Sequence, residues 1–102
     1  MRIYIAAPYT KGDVAVNINR VFKVADRLVA RGHLPYVPHW THFWHLISPK
    51  EYSFWIAYDK TFILYWAEAL LRLDGESLGA DIEVLLARES FIPIYYNEED
   101  IP

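Results

Sequence analysis

The most informative part of the sequence is the stretch Ser77-Leu78-Gly79-Ala80-Asp81-Ile82-Glu83, which follows an apolar run at 69–73. Ser77 is suited to cap a helix, because its hydroxyl can accept a hydrogen bond from a free backbone N–H of the first turn. The pattern therefore predicts a helix over 77–88. Gly79 lets a ligand approach the backbone closely, and the exposed N–H groups of a helix start attract anions.

Glu83 is the first candidate for chemistry on this helix. Three of its four helical neighbours are glycine or alanine, which leaves open space above the carboxylate for a substrate. These residues alone fit an ordinary solvated helix carboxylate equally well. A separate apolar stripe on the same helix is predicted to face the core, and it consists of Leu78, Ile82 and Leu85.

Composition bounds the class of protein. A length of 102 residues predicts a single domain over 1–102 with one core. Hydrophobic residues make up 54% of the chain and aromatic residues 17%, which excludes a disordered protein. The net charge of −3 argues against a partner that is a nucleic-acid polymer, and the absence of cysteine excludes disulfides and thiolate chemistry. No signal peptide or membrane-spanning run is visible, so we expect a cytoplasmic protein without a membrane partner.

Strand and helix patterns alternate along the chain, in the order β-α-β-α-β-α-β. The strands are predicted at 3–7, 34–37, 69–73 and 92–96, and the helices at 14–31, 48–66 and 77–88. Such alternation predicts an α/β fold with a parallel sheet and helices on both faces. The second strand contains prolines and is expected at an edge. Ligands in such folds bind beyond the carboxyl ends of the strands, so the loops at 8–13 and 74–77 are the expected walls of a site.

Three further expectations concern the rest of the chain. The segment 38–47, rich in His and Trp, is predicted to be a loop. Ser48, Pro49 and Glu51 have the pattern of a capped helix start, with Ser48 as the cap. The acidic tail 97–102 is expected to be loose.

Asp59 is the second carboxylate of interest. Its helical neighbours are large and apolar, which raises the pKa of a carboxyl group and suits it to donate a proton. These neighbours are Trp55, Ile56, Phe62 and Ile63. The alternative is a structural residue paired with Lys60 or Arg72. If both carboxyl groups act, Glu83 near a positive helix start is the natural anion and nucleophile, and Asp59 is the natural acid for breaking a glycosidic bond.

Aromatic and histidine side chains add weaker signals. Tyr4 lies in the first strand, where its hydroxyl could orient a carboxylate, although tyrosine is also common in core strands. His39, His42 and His45 recur at a spacing of three with tryptophans between them. Packing of the segment explains this pattern best, an aromatic wall for a planar base comes second, and a metal site is disfavoured because its ligand spacing is not specific. No metal and no cofactor is predicted.

The stretch Ile3–Tyr9, Asp59 and the Ser77-x-Gly79-x-x-x-Glu83 element together resemble the nucleoside 2-deoxyribosyltransferase-like superfamily, which includes the 2'-deoxynucleoside 5'-phosphate N-hydrolases. The resemblance implies a flavodoxin-like or Rossmann-like three-layer sandwich with a four- to five-stranded parallel sheet. It also implies that Glu83 attacks the anomeric carbon of a deoxyribose, that Asp59 protonates or steers the departing base, and that Tyr4 holds the Glu83 carboxylate. A covalent deoxyribosyl-enzyme ester would follow.

The resemblance also implies a small-molecule nucleoside or nucleotide substrate and a homo-oligomer, in which a polar residue from a neighbouring subunit completes the site. Asn97 is a possible substitute for that residue. Ser77 replaces an acidic residue of many transferases and favours the phosphohydrolase branch, but the loop after the first strand lacks the arginine that those hydrolases often carry. The candidate substrate-binding residues are Ala7, Tyr9, Thr10, His39, His42, Trp55, Ser77 and Gly79.

The sequence therefore predicts an enzyme of the N-glycosidic bond, acting on 2'-deoxynucleosides or their 5'-monophosphates as a hydrolase or a transferase. These two reactions differ in whether water is excluded from the intermediate, and the sequence leaves both open. The alternative is a non-catalytic nucleotide-binding or interaction module with the same fold. The presence of both Glu83 and Asp59 argues for the enzyme.

Overall fold

Four parallel strands form one sheet at the centre of the protein. The structure is a computed structural model that describes residues 1–102. The strands are β1 (Arg2–Ala6), β2 (Leu34–Tyr36), β3 (Ala69–Arg72) and β4 (Ile94–Tyr95), and their order in the sheet is β2-β1-β3-β4. The predicted α/β fold with a parallel sheet is confirmed, and β2 lies at an edge, as its prolines indicated.

Helices cover both faces of this sheet. They are α1 (Val14–Ala30), α2 (Thr41–Ile47), α3 (Tyr52–Tyr65) and α4 (Leu78–Glu89), with short 3-10 turns at Pro38–Trp40 and Glu98–Asp100. Alternate residues of β1 point to opposite faces, so Ile3 and Ile5 pack with α1, while Tyr4 and Ala6 pack with α3 and α4. The result is a three-layer sandwich with one apolar cluster on each side of the sheet. No helix is both long enough and apolar enough to cross a membrane.

The topology fixes where a site can form. The chain leaves β1 to one neighbour, β2, and later returns to place β3 on the other side of β1. A crevice therefore opens between the loops that follow β1 and β3, at the point where the strand order reverses. Helix α4 begins just after the second of these loops, and Ser77 caps it by accepting a hydrogen bond from the Ala80 N–H at 3.1 Å, as predicted.

The segment between β2 and α3 differs from the prediction. Residues 38–47, expected as a loop, form a 3-10 turn followed by α2, none of whose side chains is buried. Ser48 does not cap α3. Its N–H instead bonds to the Trp44 carbonyl and ends α2, and α3 begins at Tyr52 without a side-chain cap. Pro49, Lys50 and Glu51 separate the end of α2 at Ser48 from the start of α3.

The predicted core stripe of α4 is also wrong. Leu78, Ile82 and Leu85 are 78%, 49% and 52% exposed. The helix packs instead through its smaller residues, and these are Ala80, Val84 and Ala87. Two of these three are alanines, which allow the helix backbone to approach the sheet closely, so the larger side chains are left on the outer face.

The C-terminal tail is ordered, contrary to expectation. Ile101 is only 2% exposed and belongs to the apolar cluster under α1. Arg27 binds the Glu98 carboxylate with two hydrogen bonds of 2.8 and 2.9 Å. Arg31 donates to the Ile101 carbonyl. An acidic composition does not loosen the tail, because Arg27 of α1 and Arg31, just after that helix, bind it.

Candidate active site

A cavity of about 680 Å³ opens at the carboxyl ends of β1 and β3. Its walls come from the loops after both strands, from the segment 38–45, and from the starts of α3 and α4. Every residue that the sequence nominated for substrate binding lines it, and so do both candidate carboxylates. These residues are Ala7, Tyr9, Thr10, His39, His42, Trp55, Asp59, Ser77, Gly79 and Glu83.

Glu83 lies in the second turn of α4, directly above the sheet. The hydroxyl of Tyr4, a residue with no exposed surface in the middle of β1, donates a hydrogen bond to Glu83 Oε2. Burial raises the pKa of Glu83 to about 8, and the nearby Asp59 charge adds to the rise, while the Tyr4 hydrogen bond and Arg72 oppose it. In the unliganded protein, burial thus opposes the ionised form of Glu83 that the helix start is expected to favour.

Asp59 faces the same cavity from α3. The Tyr36 hydroxyl donates to Asp59 Oδ1 at 3.2 Å. Burial raises the pKa of Asp59 to about 7 against this hydrogen bond, in the direction that its apolar neighbours indicated. The alternative of a structural ion pair with Lys60 or Arg72 is wrong, since Asp59 forms no salt bridge and Arg72 pairs with Asp81 at 3.0 Å.

Arg72 is a functional candidate that the sequence analysis did not single out. Its side chain is buried at the end of β3 and donates to the carbonyls of Leu73 and Gly75 and to the Asp81 carboxylate. These bonds tie the turn after β3 to the first turns of α4, so they hold the helix that carries Glu83. The signal in the sequence was an arginine at the end of an otherwise apolar strand, where a buried guanidinium needs acceptors.

The cavity wall near the start of α4 is open. Gly79 leaves space that a methyl group would fill, since such a group would meet the Tyr52 hydroxyl at 3.5 Å. Lys11, in the loop after β1, reaches Glu76 at 3.6 Å across the mouth of the cavity, and both side chains are largely exposed. Lys50 also lines the cavity and lies over the rings of Trp44 and Phe54, at 5.7 and 5.3 Å from the ring centres.

The opposite wall carries the histidines, and each has its own partner. His39 Nε2 lies 2.8 Å from the Pro8 carbonyl, the Tyr9 hydroxyl bonds to His42, and the Trp55 indole N–H donates to His45 Nδ1 at 2.8 Å. Burial lowers the pKa of His39, and the Pro8 carbonyl accepts a hydrogen bond from its Nε2–H. No three His, Asp or Glu side chains are grouped so as to hold a metal ion. The wall is an aromatic surface beside two carboxyl groups.

Comparisons with known proteins identify the fold. No protein-family model and no curated protein sequence matches the chain significantly. A solved structure of a 2-deoxyribosyltransferase from the psychrotolerant bacterium Bacillus psychrosaccharolyticus superposes with a TM-score of 0.65. The match covers 92% of this chain and 69% of that chain, at 18% sequence identity. The chain therefore has the nucleoside 2-deoxyribosyltransferase-like fold, as its motifs indicated.

Proposed function

We propose that this protein cleaves the N-glycosidic bond of a 2'-deoxynucleoside or of its 5'-monophosphate, with Glu83 as the nucleophile and Asp59 as the acid. The observation that carries the proposal is the pair of carboxyl groups facing one cavity, each bonded to a tyrosine hydroxyl and each with a pKa raised by burial. Most enzymes that cleave glycosidic bonds use two carboxyl groups in different environments, one as the acid and one as the nucleophile or base. The fold shared with a 2-deoxyribosyltransferase supports the same class of bond.

In the first step a Glu83 carboxylate oxygen forms a bond to C1' of the deoxyribose. The C1'–N bond breaks, and the base nitrogen takes its electron pair and receives the proton of Asp59. The products of this step are the free base and a deoxyribosyl ester of Glu83. Tyr4 keeps the attacking carboxyl group in place through its hydrogen bond to Oε2.

In the second step the ester is resolved. Asp59, now ionised, removes a proton from water or from a second base as that molecule attacks C1', and Glu83 leaves as carboxylate. Water gives hydrolysis, and a second base gives exchange. The cavity of about 680 Å³ is large enough for a nucleoside, and its open mouth gives both acceptors a path to the ester.

The walls of the cavity have distinct proposed roles. The aromatic wall of His39, His42 and Trp55 would lie against the base, because flat rings offer stacking surface. The loop after β1 and the start of α4 would hold the sugar and its 5' end. Their residues on the cavity are Ala7, Tyr9, Thr10, Ser77 and Gly79, and the Tyr9 hydroxyl also bonds to His42 of the aromatic wall.

The experiment that tests the proposal is mass spectrometry of the intact protein mixed with deoxynucleosides and their monophosphates, with free base measured in parallel. We expect base release and a mass gain of one deoxyribosyl or deoxyribosyl-phosphate unit, both absent in Glu83→Ala. Glu76→Gln is the matched control, since Glu76 is an exposed carboxylate on the same cavity that neither tyrosine contacts. Adding a second base separates the reactions: a transferase then forms a new nucleoside at the expense of free deoxyribose.

Absence of both base and adduct across the panel would contradict the catalytic proposal. Binding of the same nucleotides by the parent and by Glu83→Gln, without turnover by either, would make the protein a binding module.

We also propose that the protein works as a homo-oligomer, paired through the outer face of α4. That face exposes Leu78, Ile82 and Leu85 beside a smaller cavity of about 220 Å³ that Glu83 also borders. A continuous apolar stripe on a charged protein marks an interface, and a second copy of the stripe is its simplest complement. Asn97 lies outside the cavity of its own protomer, where it donates to Asp100, so it completes no site within one chain.

Analytical ultracentrifugation tests the pairing. Leu85→Glu is expected to dissociate the oligomer, whereas Val16→Glu, at a comparably exposed valine of α1, should leave it intact. An oligomer that survives Leu85→Glu would place the interface elsewhere.

A further inference from the structure

Tyr4 and Tyr36 occupy equivalent places on neighbouring strands. β1 and β2 are parallel, and in their register Tyr4 lies directly beside Tyr36. Both side chains point to the sheet face that carries α3 and α4, with ring centres 5.6 Å apart. Each hydroxyl donates to one carboxyl group, Tyr4 to Glu83 and Tyr36 to Asp59. Neither tyrosine lines the cavity, so neither is placed to touch a substrate.

The Tyr36 ring is held firmly behind Asp59. It stacks on Phe62 with ring centres 3.9 Å apart and planes 10° from parallel, and it meets Trp66 edge-on at 6.3 Å. Phe62 lies three residues after Asp59, on the same face of α3. The helix therefore supplies both the acid and the surface that aims the hydroxyl at it.

We propose that Tyr36 is a positioning residue for the acid Asp59, and that the register of β1 and β2 sets the separation of the two carboxyl groups through the paired tyrosines. Neighbouring strands lie about 4.8 Å apart, and the two tyrosine rings stay close to that spacing, with centres 5.6 Å apart and planes tilted by 37°. Carboxyl groups about 5 Å apart suit a retaining mechanism, in which one of them attacks the sugar, and a gap of roughly 6.5 Å or more would suit direct attack by water. The inference rests on the proposed function for its consequence in catalysis, but not for the contact itself.

The test replaces Tyr36 with phenylalanine, which removes the hydroxyl and keeps the stacked ring. Tyr58→Phe is the matched control, because Tyr58 precedes Asp59 on α3 and packs on Phe62, yet its hydroxyl bonds to neither carboxyl group. The first readout is a ¹³C-carboxyl NMR titration of Asp59 in the unliganded protein. The Tyr36 hydrogen bond favours the ionised form, so Tyr36→Phe should move the Asp59 titration to higher pH, while Tyr58→Phe leaves it in place.

The second readout is base release. Asp59 becomes charged as it gives up its proton, so loss of the hydrogen bond that stabilises its ionised form should lower kcat about ten- to a hundredfold. KM should change less than about twofold, because Tyr36 does not line the cavity. Should Tyr36→Phe unfold, Phe62→Leu removes the stacking partner and keeps the hydroxyl, and it should lower kcat in the same way.

The outcomes separate the two proposals. A Tyr36→Phe protein with the parent's Asp59 titration overturns the positioning role, whether or not kcat falls, because a fall would then come from packing. A shifted titration in a protein whose parent releases no base supports the positioning of Asp59 and contradicts the proposed reaction.

Discussion

The sharpest consequence of the site is its dependence on pH. Glu83 must be ionised to attack and Asp59 must be protonated to donate, yet burial gives Glu83 the higher pKa, about 8 against about 7 for Asp59. Burial raises both pKa values towards neutrality, so near neutral pH the pair holds one proton that either carboxyl group can carry. The productive arrangement has the proton on Asp59, and it is a fixed share of the singly protonated population, so it rises and falls with that population as pH changes.

These values set the expected profile. The singly protonated pair is most abundant at about pH 7.5 and falls about twentyfold at two pH units to either side. If Glu83 instead kept an ordinary carboxyl pKa of 4.5 while Asp59 titrated at about 7, the optimum would lie near pH 6. The structure thus predicts an optimum more alkaline than the sequence alone suggests.

The assay is kcat/KM for base release from a deoxynucleoside between about pH 5 and 10, which reports the free enzyme. A reaction without protein corrects for spontaneous loss of base in acid. Asp59→Asn removes the acid and also the charge that raises the Glu83 pKa, so its residual activity should rise to a plateau with a midpoint below about pH 8 but not below the parent's acid limb near pH 7. An optimum at about pH 6 in the parent would refute the reasoning, because it would mean that Glu83 ionises without the penalty of burial.

Three further predictions follow from the same contacts. The pKa of Glu83 in the folded protein lies above its ordinary value of 4.5. Between pH 4.5 and about 8 the folded protein therefore holds a proton that the unfolded chain has lost. The free energy of unfolding falls as pH rises through that window. Glu83→Gln should therefore be more stable than the parent at pH 9, by an amount on the order of a few kcal/mol, and nearly equal at pH 4, as measured by thermal unfolding. Arg72→Gln removes a positive charge that lowers the Glu83 pKa, so it should move the alkaline limb of the activity profile to higher pH, while the exposed Arg88→Gln should not. Ile101→Ala should destabilise the protein by about 2–4 kcal/mol in urea, whereas Ile47→Ala, at an 85% exposed position, should cost less than about 0.5 kcal/mol.

Local patterns sufficed where a segment's own residues decide its structure. The buried runs of β1 and β3 and the amphipathic α1 could be predicted because strand and helix periodicities are visible within a few residues. The Ser77 cap could be predicted because its partner is three residues away. The carboxylates could be nominated because the resemblance and their neighbours pointed to the same two positions.

The misses in the core and in the site depend on distant residues. Tyr36 bonds to Asp59 only because β2 pairs with β1 in one register, and no short window of sequence contains that pairing. Ile101 is buried because α1 leaves space for it, and α4 turns its alanines inward because the sheet lies close beneath. The raised pKa of Glu83 has a similar origin, because the helix start is a local feature while the burial of the carboxyl group comes from the fold.

The choice of tyrosine behind each carboxyl group fits the task that we propose for the pair. An arginine in either place would form an ion pair and hold that carboxyl group ionised at neutral pH, so the two groups could not share a proton. A tyrosine hydroxyl holds the carboxyl oxygen in place and adds no charge, so burial can keep both carboxyl pKa values near neutrality. The nearby buried cation, Arg72, directs its hydrogen bonds to Leu73, Gly75 and Asp81 instead of to either carboxyl group. The two neutral tyrosine hydroxyls and the paired Arg72 cation leave a site in which one carboxyl group can donate a proton to the departing base. The same group can then accept a proton from the molecule that attacks next.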